Sequence, residues 1–438
     1  MAFGSRDEAC YVTRLVLLRA LPPRQQAQCE ALRREAGRCW SELVTLHRER
    51  REQGAWLSTR DLELYAANRF ALHSQTLQAL AQRLDANLQT GRALREQEAT
   101  KGDVITQLPY KTPEFQTVTW KDMAIAVDAG GRIQLSNGRG RPALTLPLPP
   151  EYQRAEIRRA ELLWRADHYE VCLTFDTTEV LPEPCAEGAT AGVDLGEVHI
   201  AGVVTNGGES LVVSGRGLRS CKRLRNKRHA AYRRLLARCA PGSRRRQRLR
   251  RRRAQASAKL FRQQRDILHQ ASRKVVAFCQ QEGVGRIAVG DVRDIQTGVR
   301  MGKNNQKIAQ WPHGQFFQYL SYKADRKGMR AAYIAEDYST VTCSVDGHRN
   351  VHSPRKRMLT CKKCGRRHHR DVNGAANICS RAVCGTYGSV QYKQVTFVRP
   401  ISRRIMCAVN SRPRAGGARL AIPRGAPQRL PAQPPRDA

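Results

Sequence analysis

Fifty consecutive residues, Arg216 to Arg265, contain 21 Lys or Arg and no Asp or Glu. No interior can absorb such a run. It must lie along a surface that meets a polyanion, or form a solvated arm. Leu218, Leu224, Leu235, Leu236 and Leu249 punctuate it, and Pro241-Gly242-Ser243 interrupts it. The spacing predicts two basic helices joined by a turn. Apolar segments flank the run on both sides, which favours a helical pair that tracks phosphates over a loose arm. The whole chain of 438 residues carries a formal charge of +39. Hydrophobic residues make up 41 %, enough for folded cores, so the chain is not a basic disordered tail. Nucleic acid is the polyanion such a charge suits best. No apolar run approaches the roughly 18 residues of a membrane span. Met1–Cys10 does not read as a secretion signal. The 14 cysteines are mostly scattered, as expected of free thiols in a reducing, cytoplasmic interior, with one cluster near 343–364.

The rest of the chain changes texture several times. Residues 11–20 (YVTRLVLLRA) read as a strand. Residues 24–95 place Leu32, Trp40, Leu43, Leu62, Leu64, Phe70, Leu77, Leu80, Leu84 and Leu88 at helical spacing. Residues 104–180 turn strand-like, with Asn137-Gly138 as a hairpin signal. A small β-barrel built from the N-terminus and 104–180, interrupted by a helical insertion, is expected. No repeat of solenoid period is present. After about residue 385 the chain becomes Arg/Pro/Gly/Ala-rich, and a basic, disordered tail is expected there.

Four acids sit at strand ends or at a helix start. Asp194 lies in AGVDLGEVHI (191–200). RIAVGDV (286–292) follows the basic helices, and MRAAYI (329–334) leads into Glu336 and Asp337. Asp371 opens a helix in HRDVNGAANICSRA (369–382). Three strands, helix, strand, helix, strand, helix is the order of a ribonuclease-H-like fold. That fold gathers distant acids at one sheet edge, where they hold two divalent metals and clamp a phosphodiester. Magnesium takes carboxylates, phosphate oxygens and water, hence Asp and Glu rather than His or Cys. Taken singly, Asp194 is an ordinary strand-end residue and Asp371 an acid favoured by a helix dipole. It is the ordered set that points to chemistry.

GVDLG (192–196), GDVRDI (290–295), WPHGQFFQYLSYKA (311–324), YSTVTC (338–343) and CKKCG with HRDVNGAANI (361–378) resemble the transposon-encoded TnpB family. That family is related to the type V CRISPR effectors and to Fanzor. The likeness spans roughly residues 10–385 and is specific over 186–385. In the N-terminal half it rests on layout and phrases such as LHSQTLQ (72–78). The resemblance implies a multi-domain α/β protein. A wedge β-barrel would use 1–23 and 101–182, with a helical recognition domain at 24–100. A RuvC-like nuclease domain would span 186–385, with basic helices at 216–280 and a zinc-ribbon-like insert at 340–368. A basic tail would fill 386–438. It also implies an RNA-guided DNA endonuclease encoded by a mobile element, with an element-derived guide RNA and double-stranded target DNA as partners. Such a protein would be cytoplasmic and nucleoid-associated, without a membrane partner. Arg219, Lys222, Arg223 and Arg225 are expected to contact nucleic-acid backbone. Trp120, Trp311 and Tyr322 are either core residues or stacking surfaces, with core favoured. Oligomeric state stays open.

Two departures from the family pattern matter. Where the family usually carries a second catalytic Glu, this chain has Gly290. Either the nuclease is dead and the protein only binds DNA under guidance, or the acid has moved. Glu336 follows the next strand, whose end should lie about 5 Å away in the same sheet. Asp291 is adjacent in sequence, but strand alternation would aim it to the other face. The expected site is therefore Asp194, Glu336 and Asp371 with two magnesium ions. The second departure lies in the zinc element. Cys361/Cys364 is intact, whereas the first pair reads Cys343-Ser344-Val345-Asp346. A structural zinc would then be held by Cys343, Asp346, Cys361 and Cys364, with His348 or His352 as substitutes; otherwise the metal has been lost.

Overall fold

The structure, a computed structural model, describes residues 10–18, 21–101, 107–177, 182–183, 185, 188–293, 308–350 and 357–400. Strand β1 (Cys10–Leu18) is far in sequence from β7 (Tyr169–Thr177), yet the two pair antiparallel along their whole length. Between them come α1 (Pro23–Glu52), α2 (Thr59–Ala66) and α3 (Ser74–Lys101). Five short strands follow: β2 (Val118–Lys121), β3 (Ile125–Val127), β4 (Arg132–Leu135), β5 (Leu144–Pro147) and β6 (Ile157–Trp164). Pro23 opens α1, where its missing N–H costs nothing. Ser58 and Asp61 close a reciprocal capping box on α2. The α3 stripe of Leu77, Leu80, Leu84 and Leu88 is buried.

The strands form two hydrogen-bonded sheets, β1-β7-β6-β2 and β3-β4-β5, rather than one closed barrel. The reason is local. Strands of three or four residues carry few ladder bonds, and a 3-10 turn at Asp122–Ala124 separates β2 from β3. The helices supply the remaining cover. Leu32, Trp40 and Leu43 of α1 share one apolar core with Trp120 of β2 and with Ile133 and Leu144 of the smaller sheet. The helical insertion is thus built into the same body as the sheets. Trp120 is fully buried there and donates its indole N–H to the Ser136 carbonyl at 2.9 Å.

The second body centres on a six-stranded sheet of order β12-β11-β8-β9-β10-β15. β8 (Ala189–Leu195), β9 (His199–Thr205) and β10 (Ser210–Ser214) run as an antiparallel meander. The basic helices follow, α4 (Arg216–Ala237) and α5 (Arg244–Gln281). Gly242, at φ +77°, makes the turn between them, and the Ser243 hydroxyl caps α5. β11 (Val284–Gly290) then returns parallel to β8. After α6 (His313–Asp325), β12 (Arg330–Ile334) lies parallel to β11, pairing Ile334 with Gly290. The two-stranded ribbon β13 (Met358–Thr360) and β14 (Arg367–His369) leads into α7 (Arg370–Cys384). Helices cover both faces of the sheet. α5 and α6 share one core with it, through Ile267, Val275, Phe316 and Leu320. α7 covers the other face through Val372, Ala375 and Cys379. That helix lies almost on the strands, because a methyl group at Gly202 would meet the Asp371 carbonyl at 2.5 Å.

Chain order at the C-terminal end differs from the expected tail beginning at 386. Residues 395–398 form β15 (Val395–Val398), parallel to β10 at the sheet edge. Val-Thr-Phe-Val is a short β-branched and aromatic run, and an unpaired edge is what such a run completes. Residues 401–438 lie outside the described residues. Among the described residues, no helix is long and apolar enough to cross a membrane.

Candidate active site

Three segments bring acids together where α7 begins. Asp194 is the penultimate residue of β8 and pairs with Gly202 of β9. Burial pushes its carboxyl well above the usual range, and the charges of Glu336 and Asp371 push it further. Its space is provided by Gly374 of α7, where a methyl group would stand 2.9 Å from Asp194 Oδ2. Glu336 follows β12 by two residues. A methyl group at Gly290 could not coexist with Glu336 Oε2 as it stands, and would lie 2.9 Å from Ile378 Cδ1. The Glu336 carboxylate therefore occupies the volume that a side chain at 290 would take. Oε2 is buried without a hydrogen-bond partner. Burial first, then Asp291 and Asp337, raises the Glu336 carboxyl to about 7.

Asp371, in the first turn of α7, is 6 % exposed and differently treated. His199 Nδ1 lies 2.6 Å from its Oδ2, and Arg357 Nη1 donates to both oxygens at 2.9 Å. Burial alone would raise this carboxyl, but His199 and Arg357 outweigh it and hold it below the usual range. Burial and like charge thus win at Asp194, despite Arg370 and Arg357, and at Glu336, whereas His199 and Arg357 win at Asp371. A divalent cation satisfies two crowded carboxylates, one of them with a buried, unpartnered oxygen, so this donor set fits magnesium. Asp291 is paired instead: its oxygens meet Arg293 Nη2 at 2.6 Å and Nε at 2.9 Å.

The ribbon groups its ligands tightly. The ligand atoms of Cys343, Asp346, Cys361 and Cys364 all lie within 4.8 Å of one another. Cys343 and Cys364 sulfurs are 3.8 Å apart, and Cys361 Sγ is 3.5 Å from Asp346 Oδ2. Tetrahedral zinc with bonds of about 2.3 Å to sulfur and about 2.0 Å to oxygen implies separations of about 3.8 and 3.5 Å. The group fits zinc. Burial pushes the Cys343 thiol up to about 12, so binding a metal there must release a proton. For Asp346, burial acts upward, but the His348 amide and the neighbouring thiols hold it at about 2. His348 contributes that backbone N–H at 2.9 Å. His352 lies outside the described residues. The imidazole against the cluster is instead His368, with Nε2 3.3 Å from Cys343 Sγ.

Between the two bodies runs a cleft of about 1200 Å³, walled by Arg33, Trp164, Arg225, Arg251, Phe261 and Arg265 among others. The four basic residues expected to meet nucleic acid have different fates. Arg223 is exposed. Arg219 pairs with Glu197 at 3.2 Å. Arg225 donates to Gln310 at 2.7 Å and lies over Phe261. Lys222 is only 7 % exposed, and its amine, over the Trp311 ring, has no hydrogen-bond partner. Burial, then Arg225, lowers it to about 8. Trp311 is buried, while Tyr322 is 43 % exposed.

Residues 313–378 match the family described as "Cas12f1-like, TNB domain", and residues 170–296 match "Probable transposase" (OrfB IS605). Between them these spans hold all three acids, Gly290, the basic helices and the four ribbon ligands. Both matched segments support a likeness to the TnpB-like and type V effector family. Over 114 residues it is 30 % identical to the CRISPR-associated endodeoxyribonuclease Cas12f1 of Sulfoacidibacillus thermotolerans. That stretch is 25 % of this chain and 25 % of that relative, so the chain matches about a quarter of the relative's length. The cryo-EM structure of a Cas12f1–sgRNA–target DNA complex superposes with TM-score 0.56 at 14 % identity, covering 81 % of this chain and 82 % of that one. At that identity the likeness is one of fold. A CasPhi-2 (Cas12j) complex superposes at TM-score 0.44 and 11 % identity, covering 89 % and 93 %.

Several residues at the site were invisible in the family motifs. His199 stands at the start of β9, and its ring lies 5.3 Å from that of His369 and 6.3 Å from that of Phe397 in β15. Together with Arg357 they surround Asp371. Asn373 and Asn377, one turn apart on α7, each donate to the Thr342 carbonyl at 2.7 Å. They fasten the base of the ribbon, and hence the Glu336 loop, to the helix that carries Asp371. The phrase NGAAN holds the signal: two amides at i and i+4 on a buried helix face must find partners.

Proposed function

We propose that this chain is an RNA-guided DNA endonuclease of a mobile element. A ribonuclease-H-like, RuvC-type domain would cut DNA that base-pairs with a guide RNA, beside a short flanking motif. The observation that carries the reading is the Glu336 carboxylate standing where a side chain at Gly290 would be. A sheet that had merely lost its acid would have no reason to leave a partnerless carboxylate in that volume.

Asp194, Glu336 and Asp371 would hold two magnesium ions, which when bound supply Lewis-acid activation of water and neutralise the leaving oxygen. The protein's own part is to fix the acids and to hold Asp371 ionised. Asp194 is held rigid by the β8–β9 ladder, Glu336 by the pairing of β11 with β12, and Asp371 by His199 and Arg357. Guide RNA and its paired target strand would fill the basic cleft, read as backbone rather than as sequence. The acid-free faces of α4 and α5 would supply most of the neutralising charge. Structural zinc would sit on Cys343, Asp346, Cys361 and Cys364 and hold the ribbon beside the acids.

The protein should co-purify with one structured RNA ending in a variable guide. With that RNA it should cut matched double-stranded DNA in magnesium, and Glu336→Ala should bind the same DNA without cutting. Tight guided binding with intact DNA from the unmutated complex would make it a nuclease-dead binder. Bulk cellular RNA in place of a defined species would remove the guided reading altogether.

A further inference from the structure

The loop that carries Glu336 has a second feature, which the acids do not explain. Residues 336–339 form a turn closed by the Ser339 N–H donating to the Glu336 carbonyl at 3.0 Å. Its third residue, Tyr338, has φ +62°. That left-handed setting suits Gly or Asn and is rare for a bulky side chain.

The backbone around Tyr338 is clamped on every side. Its carbonyl accepts the N–H groups of Val341 and Thr342, both at 3.1 Å, and the Thr342 hydroxyl at 2.9 Å. The Asp337 carbonyl accepts the Tyr387 hydroxyl at 2.6 Å, and the Ser339 carbonyl accepts the Asn377 amide at 2.8 Å. Three consecutive carbonyls are therefore fixed by α7 and its neighbours. The result is an aromatic ring pushed outward, 56 % exposed, in the same turn as Glu336. The Arg349 guanidinium lies across it, 3.3 Å from the ring centroid, and Arg349 is itself exposed.

A chain that only had to turn here would place Gly at 338. Strain persists where the surroundings over-determine it, and such positions gather at sites of function. The ring fills no core. What it offers, with Arg349, is a flat π surface paired with a planar cation in the turn that carries Glu336. Nucleobases stack on such surfaces whatever their identity, and a guanidinium also meets backbone phosphate.

We propose that Tyr338 and Arg349 form a stacking platform for an unpaired base of the DNA strand delivered to Glu336. The proposal rests on the endonuclease reading above. Its consequence is positional: one base held in that turn sets where the neighbouring phosphodiester meets the acids.

The test uses the full chain in EDTA, where nothing is cut, and a short single-stranded DNA carrying one 2-aminopurine. Stacking quenches that probe. The unmutated chain should quench it, Tyr338→Phe should match it, and Tyr338→Ala and Tyr338→Gly should lose at least half of the effect. Tyr338→Gly relieves the left-handed strain, so its melting temperature should be no lower than that of the parent. In cutting assays, Tyr338→Ala should raise KM for single-stranded DNA about tenfold while sparing kcat. Arg349→Ala should weaken binding and flatten its salt dependence. Undiminished quenching in Tyr338→Gly would overturn the platform. Because the quenching arm needs no cleavage, an inert nuclease with an intact platform is told apart from an active one without it.

Discussion

Glu336→Gln separates the electrostatic account of this site from a purely steric one. In the metal-free fold, burial and the neighbouring Asp291 and Asp337 raise this carboxyl from 4.5 to about 7. Between those two values the unfolded chain is ionised at Glu336 while the folded chain stays protonated. The folded state then binds more protons, so stability falls as pH rises through this window and the loss is complete above 7. At roughly 1.4 kcal/mol per pKa unit the loss comes to about 3 kcal/mol. Glutamine occupies the same volume without a charge, so it escapes that loss. Urea unfolding of the nucleic-acid-free protein in EDTA should find Glu336→Gln more stable than the parent by about 3 kcal/mol at pH 8. At pH 4.5 the two should be nearly equal. Magnesium should narrow the gap at pH 8 by stabilising the parent alone, since a cation that binds only the folded state adds to its stability. A difference between the two proteins that is the same at both pH values would refute the reasoning. It would mean that Glu336 is solvated and that its place at Gly290 carries no electrostatic load.

Two further outcomes follow from packing and from ligand chemistry. Gly290→Ala changes no polar group, yet its methyl must displace Glu336 Oε2, so cutting should fall roughly 10- to 100-fold in a plasmid-nicking assay. Gly290→Glu combined with Glu336→Ala should recover part of the cutting that Glu336→Ala alone removes; no recovery would argue against the relocated acid. In the ribbon, Asp346→Cys should tighten zinc in a competition with a colorimetric chelator. Asp346→Ala should leave less than about half a zinc per chain by elemental analysis.

The residues that could be read from the sequence share a property: their environment is set by neighbours along the chain. The turn at Pro241-Gly242-Ser243 and the helices around it follow from local chemistry. Asp194 sits at the end of an apolar run that can only be a buried strand. Glu336 follows from the parallel pairing of two adjacent strands. What stayed hidden depends on packing between distant segments. β15 has only four residues in an Arg-rich context, and its partner β10 lies far upstream. His199 and Arg357 reach Asp371 from separate elements, with no spacing to announce them. Lys222 is an intermediate case. A count of charges puts it on the solvated face, but Leu218, Cys221 and Lys222 stand at i, i+3 and i+4, the spacing of a buried stripe.

The basic run and the acidic site then express one electrostatic arrangement. Most of the Lys and Arg side chains in the 216–265 run are exposed, where salt screens them and a polyanion can displace that salt. Lys222 and Glu336 are not solvated in this way. The Lys222 amine is buried in the cleft wall without a hydrogen-bond partner, and Glu336 Oε2 is buried without one beside Asp194. Buried charges without partners cost free energy in the bare chain, and they are relieved by neutralising or by a ligand of opposite sign. They differ in the ligand each fits: a phosphate in the cleft for Lys222, a divalent cation for Glu336 and Asp194. On the endonuclease reading the two ligands arrive in that order, RNA with assembly and metal with the DNA to be cut. RNA should therefore raise the melting temperature of Lys222→Met less than that of the parent, and magnesium should raise both equally.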